Sequence, residues 1–152
     1  MNAFGYCRAS TTDQANSGPL LEAQRRQINH YATTKGWQVA EFFMEIGVSG
    51  SIPFAHRPES QRLLAKLQPG DVIVTAKLDH AFRTAADALD ALEQLKKQEI
   101  GLHVVDLGGE ITGNAIQKVV LERRAANERE YLDDSPSAQI IGFGERKSNE
   151  DQ

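Results

Sequence analysis

Short apolar runs alternate with segments of helical periodicity along most of the chain, and this alternation constrains the fold more than any other feature. The apolar runs predict β-strands at residues 2–7, 37–44, 72–75 and 102–105. Between and after them, apolar residues recur every three to four positions, which predicts helices. Because alternating strands and helices form a parallel sheet with right-handed crossovers, we expect an α/β fold with helices on both faces of a mostly parallel central sheet.

The segments between the strands carry helix starts and stops. We expect the first helix to follow a polar loop at 9–18, with Ser17 as its N-cap, Pro19 in its first turn and Gly36 as its stop. The other predicted elements are a mobile loop over 45–57, a short helix over 57–67, an amphipathic helix marked by Ala85, Leu89, Leu92 and Leu95, a glycine-rich loop over 106–114 and a last helix over 115–130.

Composition narrows the class of protein. The 152 residues are 40% hydrophobic and 25% charged, which favours one folded domain. The net charge is −4, whereas nucleic-acid binders usually carry a basic excess, so any positive charge that meets DNA must be local. Cys7 is the only cysteine, and neither a leader-like segment nor an apolar run of membrane length is present, so we expect a cytoplasmic protein without disulfides and without a membrane partner.

Polar side chains follow the first three predicted strands at their carboxyl ends, which is where open parallel sheets bind ligands. They are Arg8, Ser10, Thr11 and Gln14 after the first strand, Ser49 and Arg57 after the second, and Lys77, Asp79, His80 and Arg83 after the third. A hydroxyl among guanidinium groups suits phosphoryl transfer. Planar arginine forks match the oxygens of a phosphate, and cations lower the cost of a serine alkoxide.

Blocks of sequence follow one another in a defined order between residues 4 and 120. They are Tyr6-Cys7-Arg8-Ala9-Ser10-Thr11 with Gln14, Gln24-Arg25, Gly47-Val48-Ser49-Gly50 with Arg57-Pro58, Pro69-Gly70-Asp71, Lys77-Leu78-Asp79, and DLGGEITG at 106–113. Any one block is weak on its own, but the ordered set resembles the N-terminal catalytic domain of the serine site-specific DNA recombinases, the resolvase/invertase family.

The resemblance implies a three-layer, resolvase-like domain over residues 1–130, with a flavodoxin-like strand order and a long C-terminal helix. In the family a basic linker and a DNA-reading domain follow. Here residues 131–152 form an acidic segment that is too short for a helix-turn-helix with its own core, and we expect a disordered tail without a DNA-binding domain.

The resemblance also implies roles for individual residues. Ser10 would attack the scissile phosphate and form a phosphoserine bond to the 5′ end of the broken strand. Arg8, Arg57 and Arg83 would bind the phosphate, and Asp79 would orient an arginine or assist proton transfer. Residues expected to support the site or contact DNA are Tyr6, Gln14, Gln24, Ser49, Lys77 and His80.

The implied reaction conserves bond energy in the phosphoserine, so we expect no ATP, metal or other cofactor. The sequence has no Walker loop, and its four histidines lack paired metal-ligand spacing. The implied partners are DNA and either a second copy, pairing as a dimer that forms a synaptic tetramer, or a full-length recombinase in a heterodimer.

Two features depart from the family pattern. His80 stands where the family has the first arginine of its K-L-D-R-x-x-R block, and Glu122-Arg123-Arg124 interrupt the last helix, where an apolar run builds the dimer interface. A neutral imidazole supplies no charged fork, so we expect impaired strand cleavage. An active recombinase for inversion, resolution or integration therefore competes with a catalytically inactive dimerisation or regulatory module. A flavodoxin-type binder of small phosphates would explain the fold but not the ordered motifs.

Overall fold

The computed structural model of the chain describes residues 1–134, which form a five-stranded sheet in the order β2-β1-β3-β4-β5. The strands are β1 (Ala3–Ala9), β2 (Val39–Ile46), β3 (Val72–Thr75), β4 (Gly101–Val104) and β5 (Gly109–Glu110). The first four are parallel, and β5 is antiparallel to β4. The predicted α/β class, the mostly parallel sheet and the strand order are confirmed. The two-residue β5 was not predicted, because so short a strand leaves no periodic pattern.

Helices cover both faces of the sheet. They are α1 (Gln14–Thr34), α2 (Pro58–Lys66), α3 (Leu78–Ala81), α4 (Ala85–Lys97) and α5 (Ala115–Asp134). Alternate residues of β1 point to opposite faces, so Cys7 packs with Ile28 of α1, while Phe4 and Tyr6 pack with the core under α2, α4 and α5. None of the helices among residues 1–134 is long and apolar enough to cross a membrane.

The first helix begins earlier than the sequence predicted. Asp13 is its N-cap, with a side-chain oxygen that accepts a hydrogen bond from the backbone N–H of Ala15 at 3.1 Å. Ser17, the predicted cap, is buried inside α1, and Pro19 lies within the helix rather than at its start. The prediction was wrong because Pro19 removes one backbone hydrogen bond without ending the helix, while the aspartate further upstream satisfies the first turn.

The loop after the second strand is shorter than predicted. Glu45 and Ile46 belong to β2, and a single 3-10 turn at Phe54–His56 precedes α2. The glycine-rich segment over 106–114 likewise contains part of a 3-10 turn and β5, and α5 continues four residues beyond the predicted end at 130. The predicted disordered tail lies, from residue 135 on, outside the described residues.

Candidate functional site

Three loops meet at the carboxyl ends of β1, β2 and β3, where the order of the parallel strands changes direction. Ser10 is exposed and follows β1 directly. The loop at 47–53 follows β2, and the segment from residue 76 into α3 follows β3. The sheet therefore delivers the predicted nucleophile and two other loops to one edge.

Arg8 joins all three loops. Its Nε donates to the carbonyl of His80 at 3.1 Å, and its Nη1 donates to the carbonyl of Val48 at 3.0 Å. Gln24 of α1 holds the backbone of Arg8 in place, because its side chain accepts from the Arg8 N–H at 3.0 Å and donates to the Arg8 carbonyl at 2.9 Å. This pair of bonds explains why a buried glutamine faces the end of β1.

Arg57 is fully buried beneath the same loops. Its guanidinium donates to the carbonyls of Ile52 at 2.9 Å, His80 at 2.8 Å and Gly50 at 3.4 Å, and to the hydroxyl of Tyr6 at 3.1 Å. These bonds engage four of the five N–H groups of the side chain. The two arginines share the carbonyl of His80, so two positive charges lie close together at the carboxyl end of the sheet.

Two site residues, Glu45 and Ser60, were missed in the sequence. The carboxylate of Glu45, which is 1% exposed, accepts hydrogen bonds from the Tyr6 hydroxyl at 3.2 Å and from the backbone N–H of Ser60 at 2.9 Å. Burial raises the pKa of Tyr6 to about 12, so the phenol stays protonated. A signal was present in the sequence, since Glu45 is an acidic residue in an otherwise apolar run, FFMEI.

His80 supplies a neutral side chain to the site. Burial lowers the pKa of its imidazole below the usual 6.5, and the charges of Arg8 and Lys77 lower it further. The carboxylates of Asp79 and Asp106 raise it, but by less than the other effects lower it. Its Nδ1 is buried and makes no hydrogen bond within the part of the chain that the structure describes. At pH 7 the ring is therefore neutral and offers a phosphate no positive charge. The backbone carbonyl of His80 nevertheless accepts hydrogen bonds from both arginines.

The other predicted residues lie around this centre. Asp79 and Arg83 are exposed and line a cleft of about 110 Å³ together with Arg124 and Glu128 of α5. Lys77 and Ser49 are exposed, and the Ser49 hydroxyl lies 2.8 Å from that of Ser51. Gln14 is the first residue of α1. The structure thus brings Tyr6, Arg8, Gln24, Arg57 and His80 into one hydrogen-bonded group. Asp79 and Arg83 lie outside that group, in a cleft whose lining includes none of its members.

Comparisons with known proteins find a matching family and relatives of similar sequence. The model of the family described as "Resolvase, N terminal domain" matches residues 3–135. The chain is 36% identical to the transposon Tn2501 resolvase of Escherichia coli over 107 residues, which cover 70% of this chain and 50% of that protein. It is 34% identical to the serine recombinase PinR of Escherichia coli strain K12, over 94% of this chain and 72% of PinR.

Solved structures show the same architecture. The N-terminal catalytic domain of TP901-1 integrase is similar with a TM-score of 0.70 and 27% identity, over 89% of this chain and 100% of that domain. A resolvase family site-specific recombinase from Streptococcus pneumoniae is similar with a TM-score of 0.69, over 88% of this chain and 91% of that one, and its 22% identity shows the fold alone.

Proposed function

This chain belongs to the family of resolvase N-terminal domains, and we propose on that premise that it acts in site-specific DNA recombination with Ser10 as the nucleophile. The observation that supports the assignment most is the joining of three loops by Arg8 and Arg57 around the strand end that carries Ser10. The buried guanidinium of Arg57 and the half-buried one of Arg8 supply a positive field at that edge, where an attacked phosphodiester would gain negative charge.

The proposed reaction exchanges one phosphoester for another. The Ser10 oxygen forms a bond to phosphorus, the bond from phosphorus to the 3′ oxygen breaks, and the serine proton is balanced by the proton that the leaving 3′ hydroxyl takes up. Attack of a 3′ hydroxyl on the phosphoserine reverses the step and releases Ser10. Bond energy is kept throughout, so rejoining requires no ATP.

Arg57 and Arg83 have different roles in this proposal. Arg57 keeps one N–H group beyond the four held by the protein, so it acts mainly through its charge and by fixing the loop at 47–53. Arg83 is exposed and lines the same cleft as Asp79, and in this proposal it is the arginine that meets DNA directly. Gln14, Ser49 and Lys77 then contact DNA or support the loops.

The proposed partners are DNA and a second recombinase chain, either a copy of this one or a full-length relative. Val119 and Val120 of α5 are 52% and 38% exposed, and they supply apolar surface for such pairing. The chain spans about half the length of the Tn2501 resolvase and 72% of the length of PinR.

An inactive dimerisation or regulatory module is the second candidate function. The neutral imidazole of His80 favours it, because loss of one charged donor to a phosphoryl transition state costs roughly 10²–10³ in rate.

Covalent trapping on a supercoiled plasmid that carries the genomic DNA flanking the gene tests the nucleophile. We expect wild-type protein to form a protein–DNA adduct that Ser10→Ala abolishes. The control is Thr34→Ala, which removes an exposed hydroxyl from the far end of α1 and should leave the adduct unchanged. An adduct that persists in Ser10→Ala would overturn the assignment of the nucleophile.

A His80→Arg variant separates the two candidate functions in the same assay. An adduct in wild type that grows stronger in His80→Arg supports a slow but active recombinase. An adduct only in His80→Arg identifies the inactive module. Absence of an adduct in both, under conditions where a related full-length recombinase reacts, excludes cleavage by this chain.

A further inference from the structure

The buried charge of Arg57 needs a counter-charge, and no carboxylate among residues 1–134 contacts it directly. The guanidinium is fully buried, and its four hydrogen bonds go to three carbonyls and a phenol. The salt bridges found within residues 1–134 join side chains at the surface, such as Arg62 with Glu59 and Lys66 with Glu41. An isolated buried cation is costly, so a carboxylate is expected nearby.

Glu45 supplies that carboxylate through Tyr6. The Tyr6 hydroxyl has one proton, which it donates to Glu45 Oε2 at 3.2 Å, and its oxygen accepts from Arg57 Nη1 at 3.1 Å. Because a carboxylate only accepts and a guanidinium only donates, the direction of both bonds is fixed. Tyr6 therefore connects a buried anion to a buried cation.

Glu45 also holds the backbone that carries Arg57. Arg57 is the N-cap of α2 and makes no side-chain capping bond there. The third residue of that helix is Ser60, whose N–H donates to Glu45 Oε2 at 2.9 Å. The carboxylate thus satisfies a first-turn donor of the helix and stabilises the positive helix end.

We propose that Glu45 is a positioning residue of the site, which fixes the guanidinium of Arg57 through Tyr6 and the backbone of Arg57 through the first turn of α2. The inference rests on the proposed function for its consequence in cleavage, but the placement of Arg57 is measurable without DNA. Glu45 acts through Arg57 and does not touch the phosphate.

Hydrogen exchange of the Arg57 Nε–H, followed by nitrogen-15 NMR and assigned by its loss in Arg57→Lys, tests the placement directly. Glu45→Gln keeps an acceptor for Ser60 but removes the charge, and Tyr6→Phe removes the connection alone. We expect each to speed the exchange by roughly tenfold or more, the size expected for loss of a hydrogen bond to a charged group. Glu41→Gln, on the same strand but in surface salt bridges, is the matched control and should change exchange less than twofold.

Two results would overturn the inference: exchange in Glu45→Gln that matches the control, or exchange that rises at every buried amide, which would mean general destabilisation. Backbone amide exchange in the same samples separates local from general effects. These measurements use free protein, so they test the role of Glu45 whether or not an adduct with DNA forms. If no adduct forms, the proposal that fails is recombination by this chain, and the inference about Glu45 is unaffected.

Where wild type does form the adduct, Glu45→Gln should slow its formation by roughly tenfold. The double variant Glu45→Gln/Arg57→Lys should then be no slower than Arg57→Lys, because the two residues act as one unit. Multiplied losses in the double variant would show that Glu45 works independently of Arg57, against the inference.

Discussion

At the scale of the residue, His80 illustrates how one position serves the site in two ways. Its backbone carbonyl accepts hydrogen bonds from Arg8 and Arg57, which any residue could do. Its side chain adds an imidazole whose pKa is lowered, first by burial and then by the charges of Arg8 and Lys77. The loops therefore keep their organisation while the site lacks one charge that the family pattern provides.

The lowered pKa makes a prediction about stability and pH. Below pH 6.5 the unfolded chain binds a proton that the folded site resists, so the free energy of unfolding should fall with decreasing pH until the folded imidazole also becomes protonated. His103, whose pKa burial also lowers, adds to the same slope. We expect His80→Gln to show a shallower decline than wild type in urea denaturation between pH 7 and about pH 5.

The control for this experiment is His30→Gln, which removes an imidazole from the exposed surface of α1. A decline in His80→Gln as steep as that of wild type would contradict the lowered pKa of His80. A shallower slope in both variants would point to a general effect of losing a histidine.

At the scale of the element, a carboxylate of α5 binds the first backbone N–H groups of α4. The carboxylate of Glu128 accepts hydrogen bonds from the backbone N–H groups of Ala85 at 3.0 Å and Ala86 at 3.4 Å. The hydroxyl of Thr84 accepts a hydrogen bond from the backbone N–H of Asp87 at 3.0 Å. Together they satisfy the first three donors of α4. A charged residue of the last helix thus has hydrogen-bond partners within the chain.

We expect Glu128→Ala to lower the free energy of unfolding by about 1 kcal/mol, as for loss of a helix cap. Thermal and urea denaturation measure it. Glu122→Ala, an exposed position on the same helix, should stay within about 0.5 kcal/mol of wild type. Equal stabilities of the two variants would show that the hydrogen bonds of Glu128 to α4 contribute nothing to stability.

Elements with a strong pattern were the ones that the sequence could predict. The buried run of β3 has the predicted bounds, Val72–Thr75, because each of its residues is apolar or β-branched and buried. The end of β2 was assigned to a loop because the segment from Glu45 on has two glycines and little periodicity. Tertiary contacts with Tyr6 and Ser60, which the sequence does not reveal, make a carboxylate stable in the strand. Motifs likewise identified Arg8 and Arg57, but not that Arg57 is enclosed by protein carbonyls.

At the scale of the whole molecule, the net negative charge disfavours the DNA binding that the proposed function requires. The chain carries a net charge of −4, yet the proposed function places it on DNA. Arg57 is buried and Arg8 is half-buried, so the fully exposed cations near this edge are few, Lys77 and Arg83 among them. A parallel sheet concentrates them at its carboxyl edge, and the acidic remainder of the surface repels DNA.

This arrangement predicts weak binding that depends on a few positions. We expect the isolated chain to bind duplex DNA of arbitrary sequence with a Kd no tighter than about 10⁻⁴ M at physiological salt, and with a log–log salt slope no steeper than roughly −3, for about three phosphates neutralised. Fluorescence anisotropy at low salt, where the affinity rises, gives both quantities.

Charge reversal at opposite ends of the sheet decides whether the binding is local. Arg83→Glu changes the proposed edge, while Lys97→Glu makes the same change in net charge at the end of α4, where the chain returns to the amino end of β4. Local binding requires that Arg83→Glu flattens the salt slope and that Lys97→Glu leaves it nearly unchanged. Equal losses of DNA affinity in the two variants would mean that binding depends only on the net charge of the chain. The carboxyl edge of the sheet would then not be the site that binds the phosphate backbone.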